Sequence, residues 1–354
     1  MGASPLARST GRCCGVPSAD ARLTPSRRAV FAWVALCAAF ALLDLFTPLD
    51  GLLVPVPLIL ALVFARAMGT GEGRAYASRL VAAVVAAACL PMATFVWRLG
   101  ISVGEMSATL VVTGLLAFAG TLVVLLVRPV GTRFLRALGL DPDSPVHRVV
   151  AVAFVLTVFD AIALFSELRE AGPVEIPFYP ADPLVSVVSD VALALAGIGF
   201  GLTRGFRESL ARLGVRPITR RHVVMAIVVA ALLQVIVGGL EYLESLLLPS
   251  VHALEDRFGY EFVGLPPWVG ALLTSIAAGV GEEVLFRGAL QPRLGIVLTA
   301  VLFGALHVQY QVPGMIVIVL IGIGLGIVKE RTSTSFSILV HVFYDVGAFL
   351  LPDF

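Results

Sequence analysis

Charge is scarce in this sequence. Of 354 residues only 14% are Asp, Glu, Lys or Arg, where a soluble domain carries about 25%. Lysine is nearly absent, with Lys329 standing alone, a bias toward arginine that points to a GC-rich prokaryotic genome. The formal net charge is +1, which gives no general attraction to nucleic acid. Four cysteines, Cys13, Cys14, Cys37 and Cys89, lie in the tail or in apolar runs, so no extracellular disulfide framework is expected. No internal repeat or low-complexity tract is present. The polar, arginine-bearing start lacks the compact pattern of a signal peptide, and an uncleaved N-terminus is expected.

What the chain does have is apolar length. Hydrophobic residues make up 58% of it and its mean hydropathy is +0.97. Runs of roughly 17 to 22 apolar residues recur, each long enough to cross a hydrocarbon layer about 30 Å thick. The expected fold is therefore all-α, a polytopic membrane bundle of about eleven transmembrane helices. The spans fall near 29–46, 52–68, 80–97, 109–127, 149–166, 185–203, 223–240, 268–290, 294–311, 314–328 and 335–351.

Arginines and acids alternate between loops. The tail holds Arg8, Arg12, Arg22, Arg27 and Arg28, and a later loop holds Arg204, Arg207, Arg212, Arg216, Arg220 and Arg221. Acidic loops intervene, with Glu167, Glu170, Glu175 and Asp182 in one and Glu241, Glu244, Glu255, Asp256 and Glu261 in another. The positive-inside rule then places the N-terminus in the cytoplasm, in a multi-pass plasma-membrane protein. Three regions are expected: a basic cytoplasmic tail (1–28), about six early spans (29–203) and a C-terminal core (204–354). That core holds most of the ionisable residues with no interface to sit at.

The stretch "GEEVLFRGAL" puts Glu282 and Glu283 inside an apolar span. A carboxylate at mid-membrane costs roughly 2.5–3.5 kcal/mol on insertion scales. Arg287 follows Glu283 at i+4, a spacing that pairs the two on one helical face. Glu282 lies about 100° away on the helix, without a local partner, and must face a polar cavity. His307 closes "FGALH", and "HVFYD" sets His341 and Asp345 at i, i+4. Counted at about 1.5 Å per residue from the basic turns, Glu282, His307, His341 and Asp345 lie roughly 15, 20, 12 and 18 Å deep. Either histidine alone reads as an interhelical hydrogen bonder; three helices presenting acid and imidazole in one slab read as a site. Asp44, Glu105, Asp160, Asp190 and Gln234 have no partner at helical spacing and take no role.

A carboxylate beside an imidazole can act as a base on water, and a further imidazole can stabilise the oxyanion formed at an amide carbonyl. The same groups could instead ligate a divalent metal such as zinc, with Glu282, His307 and His341 as candidate ligands. Either route is hydrolysis inside the membrane. The absence of HExxH, a GxSG-type serine motif and GxGD argues against site-2, rhomboid and presenilin types of protease.

These three motifs, EExxxR, FxxxH and HxxxN/D in that order, resemble the CAAX prenyl endopeptidase-like membrane proteins, the CPBP or ABI family of type II CAAX proteases. "RLGVRP" before the seventh span is also typical of that family, and the likeness covers about residues 204–354. The resemblance implies a helix bundle around a conical cavity. It implies that Glu282 and His307 activate water and that His341 and Asp345 form the oxyanion side. Glu283 and Arg287, with Phe303 of the FxxxH motif, would support the site. Members are described as metalloproteases or as glutamic proteases, so the metal stays open. Asp345 stands where the family often has Asn, and orienting His341 is the role expected of it. The implied partners are the lipid bilayer and a membrane-embedded protein or peptide, with leader or propeptide processing more plausible here than prenylated tails. The alternatives are a non-catalytic scaffold or bacteriocin-immunity protein and a proton-coupled transporter.

Overall fold

Apolar segments in a low-dielectric surrounding satisfy their backbone groups internally, and this chain does so as helices. The computed structural model describes residues 27–47, 52, 55–67, 108–170, 174–255 and 258–350. The expected span 80–97, the tail arginines before Arg27, and Cys13, Cys14, Cys89 and Glu105 lie outside those residues. Cys37 is a buried free thiol.

The early part comprises α1 (Arg27–Phe46), α2 (Val56–Ala67), α3 (Ala108–Leu126), α4 (Arg128–Ala137), α5 (Pro145–Glu170), strand β1 (Val174–Phe178) and α6 (Asp182–Ile198). A short α7 (Phe206–Leu213) leads to α8 (Arg220–Leu247), α9 (Pro249–Glu255) and strand β2 (Phe258–Phe262). The last part is α10 (Pro267–Glu282), a π-helical segment (Glu283–Leu290), α11 (Gln291–Ala305), a 3-10 turn (Val308–Tyr310), α12 (Gln311–Arg331) and α13 (Thr334–Leu350).

Among the described helices, five are long and apolar enough to cross a membrane, or six if α3 and α4, bent by 99°, form one broken span. Eleven crossings are thus not reproduced. Length is the reason: α2 has 12 residues and α13 has 17, or about 18 and 26 Å at 1.5 Å per residue, short of the ~30 Å layer. The apolar run Pro267–Ala305 is continuous over 39 residues, but Gly295 breaks it with φ 75° and ψ 174°. Only glycine takes that conformation without strain. The chain therefore turns at "QPRLG", as the sequence suggests.

Loops assigned to the same side by their charge meet in space. β1 and β2, from the two acidic connections, pair in parallel from Val174 opposite Phe258 to Phe178 opposite Phe262. On the arginine-rich side, Arg216 N–H donates to Ser335 Oγ at 2.8 Å, and Thr334 Oγ1 donates to the Leu213 carbonyl at 2.6 Å. "RLGVRP" is thus bonded to the start of α13.

Candidate active site

The π-helical segment begins at Glu283 and ends where Gln291 N–H bonds to the Phe286 carbonyl, five residues back. Such segments are rare and concentrate at functional sites. Pro292 follows and has no N–H, so the Gly288 carbonyl loses its usual i+4 donor. Arg212 of α7 replaces it, donating from Nη1 to Gly288 O at 2.9 Å and from Nη2 to Ala289 O at 3.4 Å. This explains why an arginine 76 residues upstream is built against the site.

Glu283 and Arg287 are fully buried, with Arg287 Nε 3.5 Å from Glu283 Oε2. Glu283 holds more than its arginine. Its Oε1 lies 3.1 Å from His341 Nδ1, and its Oε2 accepts a short hydrogen bond from Ser337 Oγ. The guanidinium carbon of Arg287 stands 4.9 Å over the centre of the Phe303 ring. None of its Nε, Nη1 and Nη2 atoms has a hydrogen-bond partner among the described residues. The Glu283 charge and the ring face are what offset the cost of burying that cation.

Phe303 of the FxxxH motif is the hub of an aromatic wall. Its ring centre lies 5.3 Å from that of Phe286, 4.7 Å from His307 and 6.1 Å from His341. His307 places Nδ1 2.9 Å from the Phe303 carbonyl. A carbonyl only accepts, so Nδ1 carries the hydrogen and Nε2 is left with its lone pair. The ring also stacks on Tyr310 at 6.3 Å.

His341 is the meeting point of the carboxylates. Its Nε2 lies 3.8 Å from Glu282 Oε2 and 3.5 Å from Asp345 Oδ2, while Nδ1 is held by Glu283. His341 is buried; the side chains of Glu282 and Asp345 keep 22% and 18% exposure. Glu282 Oε2 is itself inaccessible and has no hydrogen-bond partner. The structure thus brings Glu282, Glu283, Arg287, His341 and Asp345 together. It sets His307 against the Phe303 ring at 4.7 Å, and that ring lies 6.1 Å from His341.

Two residues of this cluster carried no sequence signal. Ser337 is one turn before His341, and only its buried bond to Glu283 gives it a role. Asp190 comes from α6, among the early helices. A Cβ on Gly281 would stand 2.8 Å from Asp190 Oδ2 and 3.3 Å from Val187 Cα. A Cβ on Gly279 would stand 2.5 Å from Val342 Cγ2. The small residues of "AGVGEE" let α6 and α13 close on opposite sides of the carboxylates, as small residues do between membrane helices. Gln234, also without a role in the sequence, donates to the Tyr344 carbonyl at 2.6 Å and ties α8 to α13.

Residues 264–347 match a family model, the type II CAAX prenyl endopeptidase Rce1-like proteins. This segment is similar to the Rce1-like domain. It spans all three motifs, and it is the family that those motifs resemble. The Rce1-like match supports an endopeptidase role of the CAAX-protease type for a multi-pass membrane protein. No curated protein and no solved structure matches the chain.

The ligand atoms of the candidate metal ligands Glu282, His307 and His341 do not all lie within 4.8 Å of one another. Among the described residues, the group of His, Cys, Asp or Glu whose ligand atoms all lie within 4.8 Å of one another is Glu244, His252 and Glu255, elsewhere in the fold.

Proposed function

We propose that this protein is an intramembrane endopeptidase that hydrolyses a peptide bond of a membrane-associated protein or peptide with water activated by Glu282. The observation that carries this reading is Glu282 Oε2, buried without a hydrogen-bond partner and facing His341 Nε2 at 3.8 Å, inside an Rce1-like domain. A buried carboxylate oxygen needs a donor, and a water molecule that reaches it meets a base.

In this reading the water gives a proton to Glu282 as its oxygen attacks the amide carbonyl carbon. His307 Nε2, an acceptor by its tautomer, helps to orient that water or the leaving amide. His341, fixed through Nδ1 by Glu283 and carrying a second proton on Nε2, donates that Nε2–H toward the oxyanion, and Asp345 keeps the ring in place. Collapse of the tetrahedral intermediate breaks the C–N bond, and the proton held by Glu282 passes to the departing amine. Arg287, Glu283 and Ser337 hold the frame. No step needs a metal, although Glu282, His307 and His341 remain the residues that would take a zinc ion if the helices closed further.

The substrate class is a peptide segment adjoining a membrane anchor, as in leader or propeptide processing, with a prenylated tail as the eukaryotic counterpart. The basic loops face the cytoplasm of a prokaryotic cell, with the N-terminus on that side. A scaffold has no use for an unpartnered buried carboxylate. A transporter reading lacks the matching halves expected of such folds. Cleavage of membrane-anchored reporter peptides by the purified protein in liposomes, lost on Glu282→Gln, is the test. Uptake of protons or ions that depends on Glu282, without cleavage, would favour the transporter instead.

A further inference from the structure

The acidic side of the bundle carries a second cluster, independent of the cleavage site. Glu244 lies near the end of α8, and His252 and Glu255 lie on α9, the short helix that follows it. One ligand atom from each falls within 4.8 Å of the other two. We propose that Glu244, His252 and Glu255 bind a divalent transition-metal cation of the zinc class, which fastens α9 to α8 and to the first turn of α12.

Burial makes this more than an acidic patch. Glu244 is only 8% exposed, and its Oε1 is inaccessible with no hydrogen-bond partner. One imidazole and two carboxylates form the donor set that zinc and its neighbours accept, with a further position for water. Metal–ligand distances of about 2 Å require ligand atoms within about 4 Å of one another, so a small side-chain closure completes the site.

The position gives the cation a task. The Glu255 carboxylate lies against α12: a Cβ on Gly314 would stand 2.9 Å from Glu255 Oε1 and 2.6 Å from Tyr310 Cβ. Tyr310 in turn stacks on His307 at 6.3 Å. A cation here holds the connection that carries His307 without touching the reacting groups.

The test is zinc titration of the full-length protein in lipid nanodiscs after chelator treatment and desalting, followed by calorimetry and by the thermal midpoint. Wild type should bind one zinc per chain and melt at a higher temperature with it. Glu244→Gln and His252→Ala should each bind roughly tenfold or more weakly, and Glu282→Gln should bind as wild type does. Cobalt added to wild type should give visible absorption bands that zinc abolishes, a readout that survives if a variant fails to fold. Absence of stoichiometric zinc binding by wild type would reduce the cluster to a Glu–His–Glu ion group and overturn the proposal. So would binding lost in Glu282→Gln but kept in Glu244→Gln. Neither result bears on whether the protein cleaves peptides.

Discussion

His341 Nδ1 lies 3.1 Å from Glu283 Oε1, across 58 residues of sequence and between two different helices. That contact makes the second glutamate of the pair the structural one. It also leaves the first, Glu282, facing the other nitrogen of the same ring. Two adjacent carboxylates thus take opposite nitrogens of one imidazole, one fully enclosed and one whose side chain keeps 22% exposure.

Removing the reachable carboxylate should separate chemistry from folding. Glu282→Gln keeps the shape and removes the base, and its Oε2 makes no hydrogen bond that the fold would lose. Cleavage should fall by about 10²–10⁴-fold, with a thermal midpoint in detergent close to that of wild type.

Arg287 answers to a different measurement. Arg287→Met leaves Glu283 buried without its cation, and breaking such a pair costs about 3–5 kcal/mol. The melting temperature and the monodisperse yield should both drop. The double variant Arg287→Met, Glu283→Gln should recover part of the stability, because no uncompensated charge remains, while activity stays low for want of an anchor on His341.

The close approach of α6 is testable at a single methyl group. Gly281→Ala would set a Cβ 2.8 Å from Asp190 Oδ2 and 3.2 Å from Asp190 Cβ, an overpacking that costs typically 1–3 kcal/mol. Gly324→Ala is the control, since nothing lies within 4 Å of the added atom. A thermal melt of each should show a loss for the first and no loss for the second.

Asp345 keeps its ring in place at 3.5 Å, and Asn reproduces that shape in the motif as the family often has it. Asp345→Asn should retain cleavage within about tenfold of wild type, or ~1.4 kcal/mol of barrier. Asp345→Leu should lose more, with KM changing less than kcat.

Local spacing made part of this site legible. Glu283 with Arg287, and His341 with Asp345, are i, i+4 pairs on single helices, and a helix brings such pairs together whatever packs around it. Which connections meet was partly legible as well, because arginine and acid segregate: the acidic connections pair as β1 and β2, and "RLGVRP" bonds to the turn after α12. What the sequence could not show depends on tertiary approach. Asp190 meets Gly281 only because that glycine puts no side chain between the two helices. Ser337 looks like any serine in an apolar run until Glu283 is beside it. The segment from Glu283 to Leu290 reads as ordinary helix, and the Arg212 donor that meets its Gly288 carbonyl comes from 76 residues away. Eleven crossings are not confirmed among the described residues, because hydropathy marks a short helix like α2 as readily as a full crossing.

The central claim is that Glu282 activates water for peptide hydrolysis. The most direct measurement compares new N-termini of membrane proteins in cells producing wild type or Glu282→Gln at matched, folded levels. The account predicts cleavage products that appear only with wild type, each mapping near a membrane-anchored segment. Identical N-termini from both would contradict it.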